Sequence, residues 1–159
     1  MKFCRIGAAL IWLSVCQIAA ASGLKEYGAD DWLVLQKAHA AGTWIVHLWG
    51  MSCDPCREEL PAWGSFVRGH PQVDVTFIEV EQAVPSVVEA VLGRAGLTGS
   101  DQWLSVNGFD DGQRYAIDRH WGGELPLTLL ISPDGQVQTL TGTTDFRRLD
   151  AWTRVRAKP

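Results

Sequence analysis

Two cysteines, Cys53 and Cys56, flank Asp54 and Pro55 in the run Trp49-Gly50-Met51-Ser52-Cys53-Asp54-Pro55-Cys56. Two thiols at this spacing, about one helical turn apart, can close a disulfide with each other. An apolar run, Trp44 to Trp49, leads into them, and a helix-like segment interrupted by Pro61 follows. Strand, Cys-x-x-Cys, helix puts the first cysteine at a helix N-terminus, where free backbone N–H groups and the helix dipole favour a thiolate. The chemistry this implies is thiol–disulfide exchange. A bridge across two residues closes almost no loop and constrains the unfolded chain little, so a redox role outranks a structural staple.

The elements that must position this pair follow from periodicity and punctuation. Asp30-Asp31 can cap a short helix through Trp32, Leu33, Leu35 and Ala38, ended by Gly42. Thr43 to Trp49 and Val73 to Val80 read as buried strands. Between them a helix carries Leu60, Trp63, Phe66 and Val67 at spacings of three and four, and stops near Gly69-His70-Pro71. A second helix is expected from Pro85 to Ala95, with Val87, Val88, Val91 and Leu92 inward. Trp103 to Val106 reads as a short strand or extended loop, and Asp111 to Trp121 as a helix whose Tyr115, Ile117 and Trp121 are apolar. Thr128 to Ile131, the turn Ser132-Pro133-Asp134-Gly135 and Val137 to Thr141 form a hairpin. Thr144 or Asp145 then caps a last helix through Leu149, Trp152 and Val155. Strands alternating with helices and closing on a hairpin describe an α/β sandwich with a mixed central sheet and helices on both faces.

The 159 residues fit one domain, and 47% apolar with 20% charged residues is an ordinary globular balance. A formal net charge of −4 with no Lys/Arg run argues against nucleic acid or an anionic membrane surface as partner. Lys2 and Arg5, the apolar run Ile6 to Ile18, and Ala19-Ala20-Ala21 make residues 1–21 a signal peptide, leaving 22–159 as the folded domain. Leu13-Ser14-Val15-Cys16 offers a competing lipoprotein signal, and an uncleaved anchor is a further alternative. Cleavage after Ala21 removes Cys4 and Cys16 and leaves Cys53 and Cys56 as the mature chain's pair. The expected location is periplasmic or otherwise exported.

Taken together, Trp49 before Cys53-Asp54-Pro55-Cys56, Pro61 five residues past Cys56, Glu124-Leu125-Pro126-Leu127-Thr128 and the Ser132–Gly135 turn resemble the thioredoxin superfamily. The resemblance is to its exported TlpA/ResA-like thiol-disulfide reductases and covers about residues 30 to 156. It implies a thioredoxin-like sandwich, Cys53 as the exposed nucleophile, Cys56 as the buried resolving thiol and a cis-proline at Pro126. It further implies that Glu59, three residues past Cys56, assists proton transfer. That spacing puts Glu59 on the same side of a helix as Cys56. His47 stands where the family usually has Asp or Asn, and Met51-Ser52 replaces the family's aromatic residue before the first cysteine. His47 is either a proton relay beneath the dithiol or a neutral core histidine.

Substrate contacts are expected from Trp49, which would also shield the site, and from Asp54, Pro55 and Leu125, whose backbone can pair with extended substrate. The negative Asp54 beside Cys53 should disfavour its thiolate, making the centre comparatively reducing. The expected function is therefore reduction of disulfides in exported proteins by a protein-disulfide reductase without cofactor or metal, acting as a monomer. Apocytochrome c is one substrate class among such relatives, and a membrane dithiol donor would recharge the pair. A dithiol oxidase or isomerase, and a binding or assembly module with little turnover, stand as alternatives. A zinc site lacks a second ligand pair. His39, His70 and His120 read as surface or capping residues, and Phe109, Tyr115 and Trp121 as partner surface or core, with core preferred for Tyr115 and Trp121.

Overall fold

The structure is a computed structural model that describes residues 23–156. The expected signal peptide, with Cys4 and Cys16, lies outside the described residues. In chain order the elements are β1 (Leu24–Tyr27), α1 (Asp31–Ala38), β2 (Trp44–Trp49), α2 (Asp54–Gly69), β3 (Asp74–Glu79), α3 (Pro85–Arg94), β4 (Asp101–Ser105), α4 (Asp111–Ile117), β5 (Leu127–Ile131), β6 (Val137–Thr141) and α5 (Phe146–Arg156). The strands form one sheet in the order β1-β4-β3-β2-β5-β6. β1, β4, β3 and β2 run parallel, while β5 and β6 run antiparallel to their neighbours.

β2 is buried at every position, the pattern of a central strand covered on both faces. Its alternating side chains divide the core. Ile45 and Trp49 join Cys56, Leu60, Trp63 and Phe66 of α2, Val88 and Leu92 of α3, and Leu149 and Trp152 of α5 on one face. Trp44, Val46 and Leu48 join Trp32 and Leu35 of α1 and Ile117 of α4 on the other. Helices thus flank both faces of a mixed sheet.

The second face also carries a polar tie across four strands. Trp44 Nε1 donates to Thr76 Oγ1 at 2.9 Å, and Thr76 Oγ1 donates to Asp101 Oδ2 at 2.8 Å. Asp101 Oδ1 accepts from Lys25 Nζ at 2.7 Å and from Trp103 Nε1 at 3.0 Å. These donors hold the Asp101 carboxyl below the usual carboxylate range despite the opposing effect of its burial.

Several details depart from the sequence reading. β1 was not anticipated: its four residues carry only Leu24 and Tyr27 as large apolar groups, too short an alternation to register. The segment read as strand or loop at 103–106 is a strand that begins at Asp101 and pairs with both β1 and β3. The helix expected to reach Trp121 ends at Ile117, and the chain turns so that Trp121 Nε1 donates to Glu124 O at 2.8 Å. Tyr115 is 68% exposed and Val87 47% exposed, so neither is core. The α5 cap is Asp145, whose Oδ1 accepts from the N–H groups of Arg147 and Arg148.

Candidate active site

Cys53 and Cys56 form a disulfide, with an S–S distance of 2.01 Å and Cα atoms 5.3 Å apart. Cys53 is the N-cap of α2, and its Sγ lies 3.2 Å from the donating Cys56 N–H. Pro55 in the first turn needs no N–H partner, which suits a helix start. Cys53 is partly exposed, whereas Cys56 is fully buried. One sulfur is therefore open to a reaction partner and the other is held in the core. α2 buries Cys56, Glu59, Leu60, Trp63, Gly64 and Phe66, a stripe at helical spacing that fixes both Cys56 and Glu59 against the sheet. Pro61 lies inside this helix and offers no N–H to the carbonyl of Arg57.

Pro126 enters through sheet register. Leu48 stands opposite Leu127, so the next residue pair along the antiparallel ladder brings Pro126 beside Trp49, just before the dithiol loop. The Leu125–Pro126 peptide bond is cis. Pro126 is buried, its carbonyl accepts the Gly142 N–H at 2.9 Å, and Leu125 is half-buried between the two core clusters.

Behind the dithiol lies a buried polar cluster. Glu59, 8% exposed, accepts from the Thr144 N–H at 2.7 Å, the Thr144 hydroxyl at 3.3 Å and Trp63 Nε1 at 3.3 Å. Its Oε1 stands 3.2 Å from His47 Nε2, without the alignment of a hydrogen bond. His47 is fully buried, its Nδ1 is 3.1 Å from Thr128 Oγ1, and its ring packs 4.7 Å from that of Trp63. Burial raises the Glu59 carboxyl above its ordinary range, although its three donors oppose the shift. Burial lowers the His47 imidazole to about 3.

The structure thus brings together Cys53, Cys56, Glu59, His47 and Pro126. Asp54 and Pro55 are exposed beside the dithiol, and Asp54 is ion-paired with Arg57, which offsets its charge next to Cys53. Trp49 is fully buried in the cluster that holds Cys56. It packs the floor of the site and offers no surface for a substrate, which corrects its reading as a substrate contact. Thr128 and Thr144 were missed because short polar residues in a strand and a loop carry no spacing signal. Glu79 was missed too. Its signal was a carboxylate ending the apolar run of β3, and its Oε1 accepts the Met51 N–H at 3.1 Å. Among the described residues, no three His, Cys, Asp or Glu side chains converge as a metal site.

No protein-family model matches the chain. Solved structures do resemble it. A thiol:disulfide interchange protein of the thioredoxin family from Chlorobium tepidum superposes with a TM-score of 0.62 and 15% identity, over 76% of this chain and 83% of that one. A secreted Mycobacterium tuberculosis disulfide oxidoreductase homologous to Escherichia coli DsbE gives 0.60 and 14%, over 75% and 85%. StoA from Bacillus subtilis gives 0.54 and 24%, over 71% and 83%. The fold is thioredoxin-like.

Proposed function

We propose that the protein is a thiol-disulfide oxidoreductase working through Cys53 and Cys56, in the direction of reducing disulfides in other exported proteins. The observation that carries this reading is the pairing of a partly exposed Cys53 at the α2 N-terminus with a buried Cys56 in one disulfide on a thioredoxin-like fold. From the reduced state, the Cys53 thiolate attacks a substrate disulfide. One substrate sulfur leaves as thiolate and a mixed disulfide forms. Cys56 then loses its proton and attacks the Cys53 sulfur. The second substrate sulfur leaves, and the Cys53–Cys56 bond remains. A dithiol donor must return two electrons and two protons for the next round.

Glu59 takes the Cys56 proton in this scheme. Its raised affinity for protons and its place one helical turn from Cys56 support that role. His47 stays neutral and packs against the Glu59 carboxyl from the sheet side, while Thr144 and Trp63 orient it by hydrogen bonds. Pro126 and the half-buried Leu125 form the wall against which substrate backbone lies, with Asp54 and Pro55 on the opposite rim. The signal read in residues 1–21 would place the protein outside the cytoplasm. No helix among the described residues is long and apolar enough to cross a membrane.

The test is trapping. Cys56→Ser should accumulate a mixed disulfide between Cys53 and a disulfide-bearing protein, whereas Cys53→Ser should not. Equilibration of the parent against glutathione mixtures then sets the direction. A reduction potential near or below about −270 mV supports a reductase, and one near about −120 mV supports an oxidase. A pair that cannot be cycled would sink the proposal.

A further inference from the structure

β3 ends in a carboxylate on the dithiol's side of the sheet. Val75 and Phe77 belong to the core cluster that contains Cys56 and against which Cys53 and Met51 pack. The two-residue strand period gives Glu79 the same face. Register sets Glu79 opposite Trp49 on β2 and Leu104 on β4. Glu79 is fully buried. Its Oε1 accepts the Met51 N–H at 3.1 Å, and its Oε2 is buried with no hydrogen-bond partner among the described residues. Two residues on, Glu81 accepts the Ser52 N–H at 2.7 Å and the Ser52 hydroxyl at 2.5 Å. Gly50 completes the arrangement, since a Cβ there would come within 2.6 Å of the Glu81 carboxyl. The loop from Gly50 to Cys53 is thus held at Met51 and Ser52 by two carboxylates.

A buried carboxylate is an uneconomical way to hold one backbone N–H, because a neutral amide would do the same without the cost of desolvating a charge. Its distinguishing property is that the charge can be present or absent. We propose that Glu79 is a positioning residue for the attacking cysteine: it holds the Cys53 loop through Met51 and, when ionised, disfavours the Cys53 thiolate. This inference rests on the reading of Cys53–Cys56 as an exchanging dithiol. Burial raises the Glu79 carboxyl to about 7, with the Met51 N–H opposing, the neighbouring Glu81 charge adding to the rise and the backbone N–H of Glu81 weakly opposing it. The other titratable side chains on the elements around this face are His47 of β2, Asp54, Arg57, Glu58, Glu59 and Arg68 of α2, Glu89 and Arg94 of α3, and Arg147, Arg148, Asp150, Arg154 and Arg156 of α5. Among all of these, Glu81 is the one whose charge bears on Glu79. Glu79 and Glu81 are the two carboxylates bonded to the backbone of the Cys53 loop, while Asp54 lies exposed on its outer side, paired with Arg57.

The experiment is the rate of alkylation of Cys53 by iodoacetamide against pH, in the reduced parent and in Glu79→Gln. Glutamine keeps an oxygen for the Met51 N–H and removes the charge. The two curves should coincide below about pH 6, where Glu79 is protonated. Above pH 7 they should part, with up to about tenfold more thiolate in Glu79→Gln at a given pH, a shift of about one pH unit of the kind a nearby like charge produces. Curves that coincide throughout, or that differ by a pH-independent factor, overturn the inference. A second measurement uses the unmodified chain. The assigned 13C carboxyl resonance of Glu79 should titrate with a higher midpoint in the reduced than in the oxidised protein, and equal midpoints overturn the inference. Failure of the underlying reading looks different: no mixed disulfide with glutathione in either chain, whatever the alkylation curves do.

Discussion

Oε1 of Glu59 and Nε2 of His47 face each other across 3.2 Å of buried space, yet burial pushes each towards its uncharged form. A buried ion pair must recover the cost of desolvating both charges, and here the imidazole is held far below the range in which it would be cationic. The contact is therefore a neutral ring placed against a carboxyl group whose burial raises its affinity for a proton.

The rate of the resolving step should follow the Glu59 proton. Glu59→Gln keeps an oxygen for the Thr144 N–H and so should fold. It should slow release of the second substrate thiol by on the order of 10²-fold below the Cys56 pKa, with the loss shrinking as pH rises and Cys56 ionises unaided. Stopped-flow reduction of a model disulfide over pH 5 to 9 measures this. An unchanged pH–rate profile would remove Glu59 from the mechanism.

Stability should turn over with pH for two opposed reasons. His47, at about 3 folded against 6.5 free, binds a proton first in the unfolded chain, so stability is lost as pH falls from about 6.5 towards 3. Glu79, at about 7 folded against 4.5 free, keeps its proton longer in the folded chain, so its contribution is lost as pH rises from about 4.5 to 7. Each slope approaches ~1.4 kcal/mol per pH unit, and the two oppose between about 4.5 and 6.5. Glu79→Gln should therefore gain stability relative to the parent above pH 7, and His47→Asn should flatten the acid limb. Urea midpoints at pH 4, 5.5 and 8 check both signs.

Trp63→Phe isolates one donor. It keeps an aromatic ring among His47, Phe77 and Phe146 while deleting the 3.3 Å bond to Glu59. The expected cost is about 1–3 kcal/mol from lost packing and the lost hydrogen bond. The Glu59-dependent inflection in the exchange rate should also move to higher pH, because one group holding that carboxyl down is gone.

Gly64→Ala should be among the most damaging single changes outside the site. A Cβ there would fall on the carbonyl oxygen of Ala95, backbone that cannot swing aside. Destabilisation of about 3 kcal/mol or more is expected, read as a lower thermal midpoint. A midpoint equal to the parent's would mean that α2 can shift freely against the chain after α3.

How much of this was legible in the sequence depended on whether a signal was local. Cys53, Cys56 and Pro61 announce themselves by spacing along one segment. Pro126 became readable through its resemblance and is brought beside the dithiol by the β2–β5 ladder. Tyr115 was misjudged because helical spacing places residues on one side of a helix without saying which side meets the core. Trp49 was misjudged for a related reason: adjacency to a reactive cysteine does not decide whether a side chain points inward. Glu79 and Thr144 matter only because folding sets them beside residues 28 and 85 positions away in the chain, and no single-segment pattern records such meetings.

The bonds joining Trp44, Thr76, Asp101 and Lys25 cross β2, β3, β4 and β1 near the ends of these strands opposite the dithiol. A slip of one residue in any of the parallel pairings would exchange the side chains of the two core faces and pull these partners apart at once. The alignment of four strands is thus fixed by side chains at the end of the sheet away from Cys53. The Cys53 loop, held by its own bonds to Glu79 and Glu81, is not called on to set that alignment.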